Sequence, residues 1–296
     1  MNTEHENAVE NVAENSAENA AKAAAPSLAT IREGNGYLKV GDVGNSVVTC
    51  RKLLNSKGYS CNTTSTTYDA TLRDVVKKFQ AAMGLTSDGA LGQATLAVLE
   101  DTQSATGWFS NGTVSITAGK LARMGFGKMV LKPANVAKLN EACNAYALNS
   151  KTKVRHFLAQ GMAETDKGAT FMEYGYKPGV AGTADYAPYY GAGFLQLTWD
   201  YEYKDFQTYM KDVKKINDPK IVTPPLYATQ YVANTYPFES AGWFWNVYKD
   251  LNTKIVSWAS LSAEETVKKV TDVVRGTTSG YKTRLTYYEK AKQIFQ

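Results

Sequence analysis

"FLAQGMAETDKGATFMEYGY", residues Phe157 to Tyr176, is the stretch on which the reading of this chain turns. With "TKVRH" before it, the stretch opens as an apolar helix. Val154, Phe157, Leu158, Gly161 and Met162 fall on one face at helical spacing. Glu164 closes that run, Gly168 breaks it, and a second carboxylate, Glu173, stands between Met172 and Tyr174. Two glutamates flanking a glycine-containing break, among apolar and aromatic neighbours, are candidates for acid–base chemistry. On spacing alone the bland alternative is the stronger: a surface carboxylate at a helix end and a charge in a loop.

Composition narrows the chemistry. The chain has 296 residues, 44% of them hydrophobic, enough for about two domains. Its only histidines are His5 and His156. Zinc hydrolases draw on several His or Cys ligands, and Ser or Cys nucleophiles need a histidine beside them. With a single histidine outside the N-terminal tail, carboxylates are the natural acid–base groups, and no metal or other cofactor is expected. His156 itself reads as a partly buried helix residue with a satisfied hydrogen bond. Three cysteines, Cys50, Cys61 and Cys143, make no disulfide scaffold. They read as free thiols, with a Cys50–Cys61 bridge open in an oxidising setting. No run of about 18 apolar residues occurs, and the first 30 residues show no signal-peptide pattern. The expectation is a protein held in the cytoplasm or exported by an unusual route, with no stable membrane insertion.

Four segments follow from composition and periodicity. Residues 1–36 are rich in Ala, Asn and Glu, with six acidic and two basic residues, and read as a disordered or weakly helical leader ending in a linker near Pro26. Residues 37–100 read as three short helices. Val47, Cys50, Leu53 and Leu54 form the first face and Leu72, Val75, Val76 and Phe79 the second. Asp69 caps the second helix, Gly84 stops it, and a turn at Asp88-Gly89 precedes the third. Residues 101–112, "DTQSATGWFSNG", read as a linker. Residues 113–296 carry 24 basic and 16 acidic residues and read as mostly helical, with a capping box at Ser262 and Glu265. A net positive surface suits an anionic polymer, although a merely solvated basic surface fits as well. No zinc-finger or helix-turn-helix pattern points to nucleic acid. Within "YYGAGFLQLTWDYEYKDF", Gln196 and Thr198 alternate with Leu195 and Leu197, as in a short extended segment.

In 37–100, "LKVGDVGNSVVTCRKLL", "YDATLRDVVKKFQAAMGL" and "SDGALGQATLAVL" resemble the helical peptidoglycan-binding domain of cell-wall hydrolases. The resemblance implies a non-catalytic three-helix bundle that holds the wall. In 113–296, the blocks "RHFLAQGMAETDKGATFMEYGY", "YYGAGFLQLTWDYEY", "ESAGWFWN" and "VTDVVRGTTSGYKTRLTYYEKA" resemble, in order and spacing, glycoside hydrolase family 19. That family contains chitinases and the lysozyme-type endolysins of bacteriophages. The implied architecture is all-α: a small wall-binding bundle joined to a two-lobed, lysozyme-like helical domain.

The resemblance also implies roles. Glu164 takes the place of the general acid, Glu173 that of the general base, and Thr198 that of the hydroxyl residue holding the attacking water. Tyr190, Gly191, Gln196, Tyr201, Glu202 and Arg275 fall at substrate-binding positions. The chain departs from the family pattern at Ala163, where a histidine is usual, and at Glu202 and Arg275, where asparagines are usual. Two-carboxylate hydrolysis needs a protonated acid at the leaving oxygen and an ionised carboxylate at the water. In inverting enzymes the two stand roughly 6.5–9.5 Å apart. The expectation is therefore an apolar setting around Glu164, which would keep it protonated, and a wetter, hydrogen-bonded one around Glu173.

The implied function is that of a monomeric phage endolysin acting on bacterial peptidoglycan. It would cleave the β-1,4 bond between N-acetylmuramic acid and N-acetylglucosamine, after release by a membrane-pore (holin-type) partner. The alternatives are a chitinase acting on N-acetylglucosamine polymers and a non-catalytic wall-binding virion protein.

Overall fold

The computed structural model describes residues 23–296. The expectations for residues 1–22, His5 among them, lie outside the described residues. The described chain is all-α, with thirteen α-helices and only four two-residue strands. It divides into two compact units between Glu100 and Asp101.

The first unit contains helices α1 (Leu28–Arg32), α2 (Asn45–Ser56), α3 (Ala70–Met83) and α4 (Gln93–Glu100). Its core is the apolar stripe of each helix: Val47, Cys50 and Leu54, then Leu72, Val76 and Phe79, then Leu96 and Leu99, all buried. Asp69 accepts from the Leu72 N–H at 2.7 Å, and Gly84, at φ 72°, ends α3 in the left-handed conformation that a Cβ would disfavour. One correction concerns the leader. Residues 23–36, expected to be a disordered or weakly helical leader and linker, belong to this fold. Ala23–Ala24 (β1) pairs in parallel with Asp42–Val43 (β2), Ser27 caps α1, and Ile31 is fully buried. Arg32 grips Glu100 through two hydrogen bonds, 3.0 and 2.6 Å long. One buried isoleucine and one bidentate ion pair hold an Ala-rich segment whose average composition conceals them. All three cysteines are free thiols. Burial pushes the thiols of Cys50 and Cys143 up to about 12, so both are inert.

The expected linker at 101–112 is likewise part of the second unit. Trp108 is fully buried against Phe295, with ring centroids 5.1 Å apart, and its indole N–H donates to the Gln296 carbonyl. Phe109–Ser110 (β3) pairs antiparallel with Thr113–Val114 (β4). The polar residues on either side mask a tryptophan anchor.

The second unit continues with α5 (Ala118–Met124), α6 (Pro133–Ala145), α7 (Lys151–Glu164), α8 (Asp200–Asp212), α9 (Pro225–Thr235), α10 (Glu239–Trp243), α11 (Leu251–Ser257), α12 (Ala263–Arg275) and α13 (Tyr281–Ile294). Helix α7, read from the opening stretch, is its centre. Ser150 caps its start, and every residue from His156 to Met162 is buried. A helix stretch buried on every side must be enclosed by its neighbours, and α7 packs on α13 and α12. Phe157 sits edge-on to Trp245 at 5.3 Å and beside Phe194 at 5.3 Å. Burying such a ring contributes about 1.5–3 kcal/mol. Gly161 lets Phe194 close on the helix: a Cβ there would fall 2.0 Å from the ring. The apolar stretch after α10 is one π-helical turn, Phe244–Tyr248, and the capping box at Ser262 and Glu265 is formed.

His156 differs from its expected setting. It is fully buried, stacked on Tyr288 at 4.2 Å, and its Nδ1 has no hydrogen-bond partner. Burial pulls its pKa down to about 3, so it is neutral.

Candidate active site

Glu164 is the last residue of α7, and Thr165 ends the helix by bonding back on it. The Thr165 hydroxyl donates to the Gly161 carbonyl at 2.6 Å and accepts from the Gly168 N–H at 2.9 Å. Asp166, Lys167 and Gly168 then take three successive positive φ angles of 46°, 58° and 81°. The carbonyls of Lys167 and Gly168 are held by the N–H groups of Gly127 and Met129. The break after the first glutamate is thus a pinned turn.

The chain returns through Phe171–Glu173, which lies alongside Gly191–Gly193. The Glu173 N–H donates to the Gly191 carbonyl at 2.9 Å, and the Gly193 N–H donates to the Phe171 carbonyl at 2.7 Å. Ala192 bridges in turn to Leu197. Residues 193–196 between these rungs form a tight turn with Gln196 at φ 54°, where an extended segment was expected. The glycines explain the difference. Gly193 is left-handed at φ 79° and presses on Ser240 and Pro237, where a Cβ would fall within 2.8 Å of both. The turn aims Gln196 and Thr198 to one side. Trp199 follows at φ 71° and ψ 144°, a conformation rarely held by a residue with a side chain, and it opens α8.

A cavity of about 400 Å³ lies here, a size usual for small-ligand sites. Glu164, Gln196, Thr198, Tyr201, Glu202 and Arg275 line it, together with Tyr186, Trp199, Phe244 and Lys249. Six sequence-proposed residues are therefore gathered around one space. Tyr190 and Gly191 sit behind it. The Tyr190 ring packs edge-on to Tyr186 at 5.5 Å, and a Cβ on Gly191 would meet the Gln196 amide oxygen at 2.6 Å. Glu173 does not line the cavity; it is bonded to Tyr186, which does.

The surroundings of the two glutamates differ from expectation for Glu164. Leu195, Phe244, Val273 and Val274 share its cavity, but its carboxylate is ion-paired. Its Oε1 accepts from Nη2 of Arg284, a buried arginine of α13. Arg284 also donates to Gln160 Oε1 at 2.7 Å and to the Gly280 carbonyl at 3.2 Å, and Gln160 donates to Thr271. The guanidinium therefore ties the end of α7 to α13, and Gln160 extends the link to α12. Glu173 has a hydrogen-bonded site: Oε1 accepts from the Tyr186 hydroxyl at 2.5 Å and Oε2 from the Gly191 N–H at 2.9 Å. That bond to Glu173 is the main reason the Tyr186 phenol is pushed up to about 12, so it stays a donor. The Thr198 hydroxyl donates to the Gln196 carbonyl at 2.7 Å, and the Thr198 N–H donates to Glu202 Oε2 at 3.2 Å. Burial raises the Glu202 pKa.

Sequence reasoning missed Arg284, Tyr186, Trp199 and Lys249. Arg284 left a signal: it shares a stripe with Tyr288 and Ala291, so a cation stands on the buried face of α13. Among the described residues, no group of three or more His, Cys, Asp or Glu is placed to hold a metal ion, and no helix is long and apolar enough to cross a membrane.

Residues 43–99 match the putative peptidoglycan binding domain family. The match covers most of the first unit's helices. Two solved structures resemble the larger part of the chain. One is chitinase C from Streptomyces griseus HUT6037, at 19% identity and a TM-score of 0.43, covering 61% of this chain and 76% of that one. The other is a glutamate-to-glutamine mutant of chitinase C, at 19% identity and a TM-score of 0.42, covering 63% of this chain and 95% of that one. No curated protein matches the sequence. At these similarities the activity of the second unit has to be argued from its site.

Proposed function

We propose that the chain is a modular glycoside hydrolase of the bacterial cell wall. The first unit holds peptidoglycan. The second cleaves the β-1,4 bond between N-acetylmuramic acid and N-acetylglucosamine with inversion. The matched binding family supports the first half. The observation that carries the second is Glu164 opening into a cavity lined by aromatic rings, an amide and a hydroxyl, with a second anchored carboxylate behind Tyr186.

The hydrogen bonds support the following assignment of atoms to the steps. Glu164 rests paired with Arg284 through Oε1, so the proton it takes up for the acid role sits on Oε2, the oxygen that hands it to the leaving glycosidic oxygen. Glu173, with one donor on each oxygen, keeps a lone pair for the water proton. Thr198 spends its own proton on the Gln196 carbonyl, so its oxygen can only accept. A water donating one proton to Glu173 and the other to Thr198 has its lone pair left for the anomeric carbon. The hydroxyl formed there and the proton from Glu164 complete the hydrolysis. A binding unit on the same chain raises the local concentration of the catalytic unit at an insoluble polymer. This layout suits a phage endolysin that is stored in the host cytoplasm, released by a membrane-pore partner, and active as a monomer.

A second assignment has one observation in its favour. Glu202 lines the same cavity as Glu164 and is a buried carboxylate with a raised pKa. Here it is assigned to binding because its Oε2 is held by the Thr198 N–H. The test measures release of reducing ends from peptidoglycan and from chitin by the wild type, Glu173→Gln and Glu202→Gln. Cleavage of peptidoglycan over chitin, lost in Glu173→Gln and largely kept in Glu202→Gln, is expected. Loss only in Glu202→Gln would move the second role to that residue. A preference for chitin would make the protein a chitinase.

A further inference from the structure

The cavity holds two cations that the catalytic account leaves unused. Lys249 follows the π-helical turn and Arg275 ends α12, so separate elements bring them to one space. Neither has a carboxylate within ion-pair distance among the described residues. Lys249 is held over two ring faces instead, with Nζ 4.7 Å from the Tyr248 centroid and 5.2 Å from that of Phe244. Arg275 spends one N–H on the Ser279 carbonyl at 2.9 Å. Of the cavity's acidic groups, Glu164 is paired with Arg284, and Glu202 is held by the Thr198 N–H and feels the charge of Lys249 without forming an ion pair with it. Lys249 is half-buried, and the lower local dielectric strengthens its attraction for an incoming anion, while Arg275 is exposed with its remaining N–H groups open to one. A neutral polymer of N-acetylglucosamine offers these two groups nothing. A muramyl residue carries a carboxylate on its O3 substituent, either on the lactyl group itself or on the peptide stem attached to it.

We propose that Lys249 and Arg275 form a carboxylate-reading subsite that selects muramyl glycans over neutral ones. The proposal rests on the wall-glycan reading of the cavity and adds to it the groups that set specificity.

The test is calorimetric binding to the full chain. The probes are N-acetylmuramic acid, muramyl dipeptide, the same dipeptide with its carboxyl amidated, and N-acetylglucosamine oligomers. They are compared across the wild type, Lys249→Met and Arg275→Met. All three proteins share the first unit, so differences between them report the cavity. The wild type is expected to favour a carboxylate-bearing probe over its neutral counterpart about tenfold or more. Each substitution should bring that ratio down toward one. Preference for N-acetylmuramic acid identifies the lactyl carboxylate, and preference for the unamidated dipeptide identifies the stem. Equal affinity for charged and neutral probes, or a ratio unchanged in both variants, overturns the proposal. Binding is read without turnover. A protein that prefers the anion yet hydrolyses nothing would refute the catalytic reading and leave the subsite standing.

Discussion

Replacing Arg284 with methionine tests the link between the fold and the site. Arg284 is 5% exposed, and the Glu164 side chain it grips is 16% exposed. Removing one partner of a buried ion pair costs about 3–5 kcal/mol, because the other charge stays desolvated. The residual exposure of Glu164 favours the lower end, about 3 kcal/mol. The lost bond to Gln160 adds about 1 kcal/mol. For a unit the size of residues 101–296, each kcal/mol lowers Tm by about 2–4 °C. A fall of about 10 °C is the working figure. Tryptophan fluorescence isolates the right transition, because all five tryptophans lie in the second unit. Glu164→Gln should also destabilise, by stranding the arginine. The double variant should recover about 2–3 kcal/mol of the summed loss, as expected for residues in direct contact. A shift below about 2 °C for Arg284→Met, or single losses that simply add, would refute the claim that this pair braces the end of α7.

Three further outcomes are expected. Gly161→Ala should cost about 3 kcal/mol in urea unfolding, since its Cβ would lie 2.0 Å from a Phe194 ring already boxed by Phe126, Phe157 and Phe238; an unchanged midpoint contradicts that packing. Tyr186→Phe removes the donor to Glu173 Oε1 and should lower kcat by about tenfold or more, a bond to a charged group being worth about 1.5–3 kcal/mol; a wild-type kcat would detach Tyr186 from the chemistry. His156, with its folded pKa of about 3, lies below its ordinary value near 6.5, so the unfolded chain takes up a proton that the folded one refuses. Its contribution is complete above pH 6.5 and drains away toward pH 3, by at most about 1.4 kcal/mol per pH unit. Between pH 6.5 and 5, His156→Gln should flatten the dependence of stability on pH; an unaltered slope would contradict a neutral buried imidazole.

Periodicity made much of the fold legible. The apolar spacing in α2, α3 and α7, the Asp69 and Ser262 caps, and the stop at Gly84 all depend on neighbours within one or two turns, and such signals survive in sequence. Ile31, Trp108 and Arg284 were misread or missed because their meaning is long-range. Each is a single anchor in a segment of different average character, and its partner lies 68 or more residues away: Glu100 for the segment holding Ile31, Gln296 for Trp108, Glu164 for Arg284. The site divides in the same way. The glutamates and the "YYGAGFLQLT" turn stand close together in sequence, whereas Lys249 reaches the cavity only because the π-helical turn folds back to it, and Arg275, at the end of α12, was placed by the family resemblance alone. The cation beside Glu164 was missed for the same reason: it is supplied by α13, 120 residues away.

The central claim is that Glu164 delivers the proton that breaks a wall glycan. The most direct measurement digests purified peptidoglycan with the wild type and with Glu164→Gln, and reads the products by mass spectrometry. General acid catalysis contributes about 10²–10⁴-fold, so the variant should be folded, wall-binding and slower by that factor. Wild-type fragments should end in a new hydrolysed N-acetylmuramic acid. Equal release by both proteins, or intact glycan with both while the wall is still bound, would contradict the account.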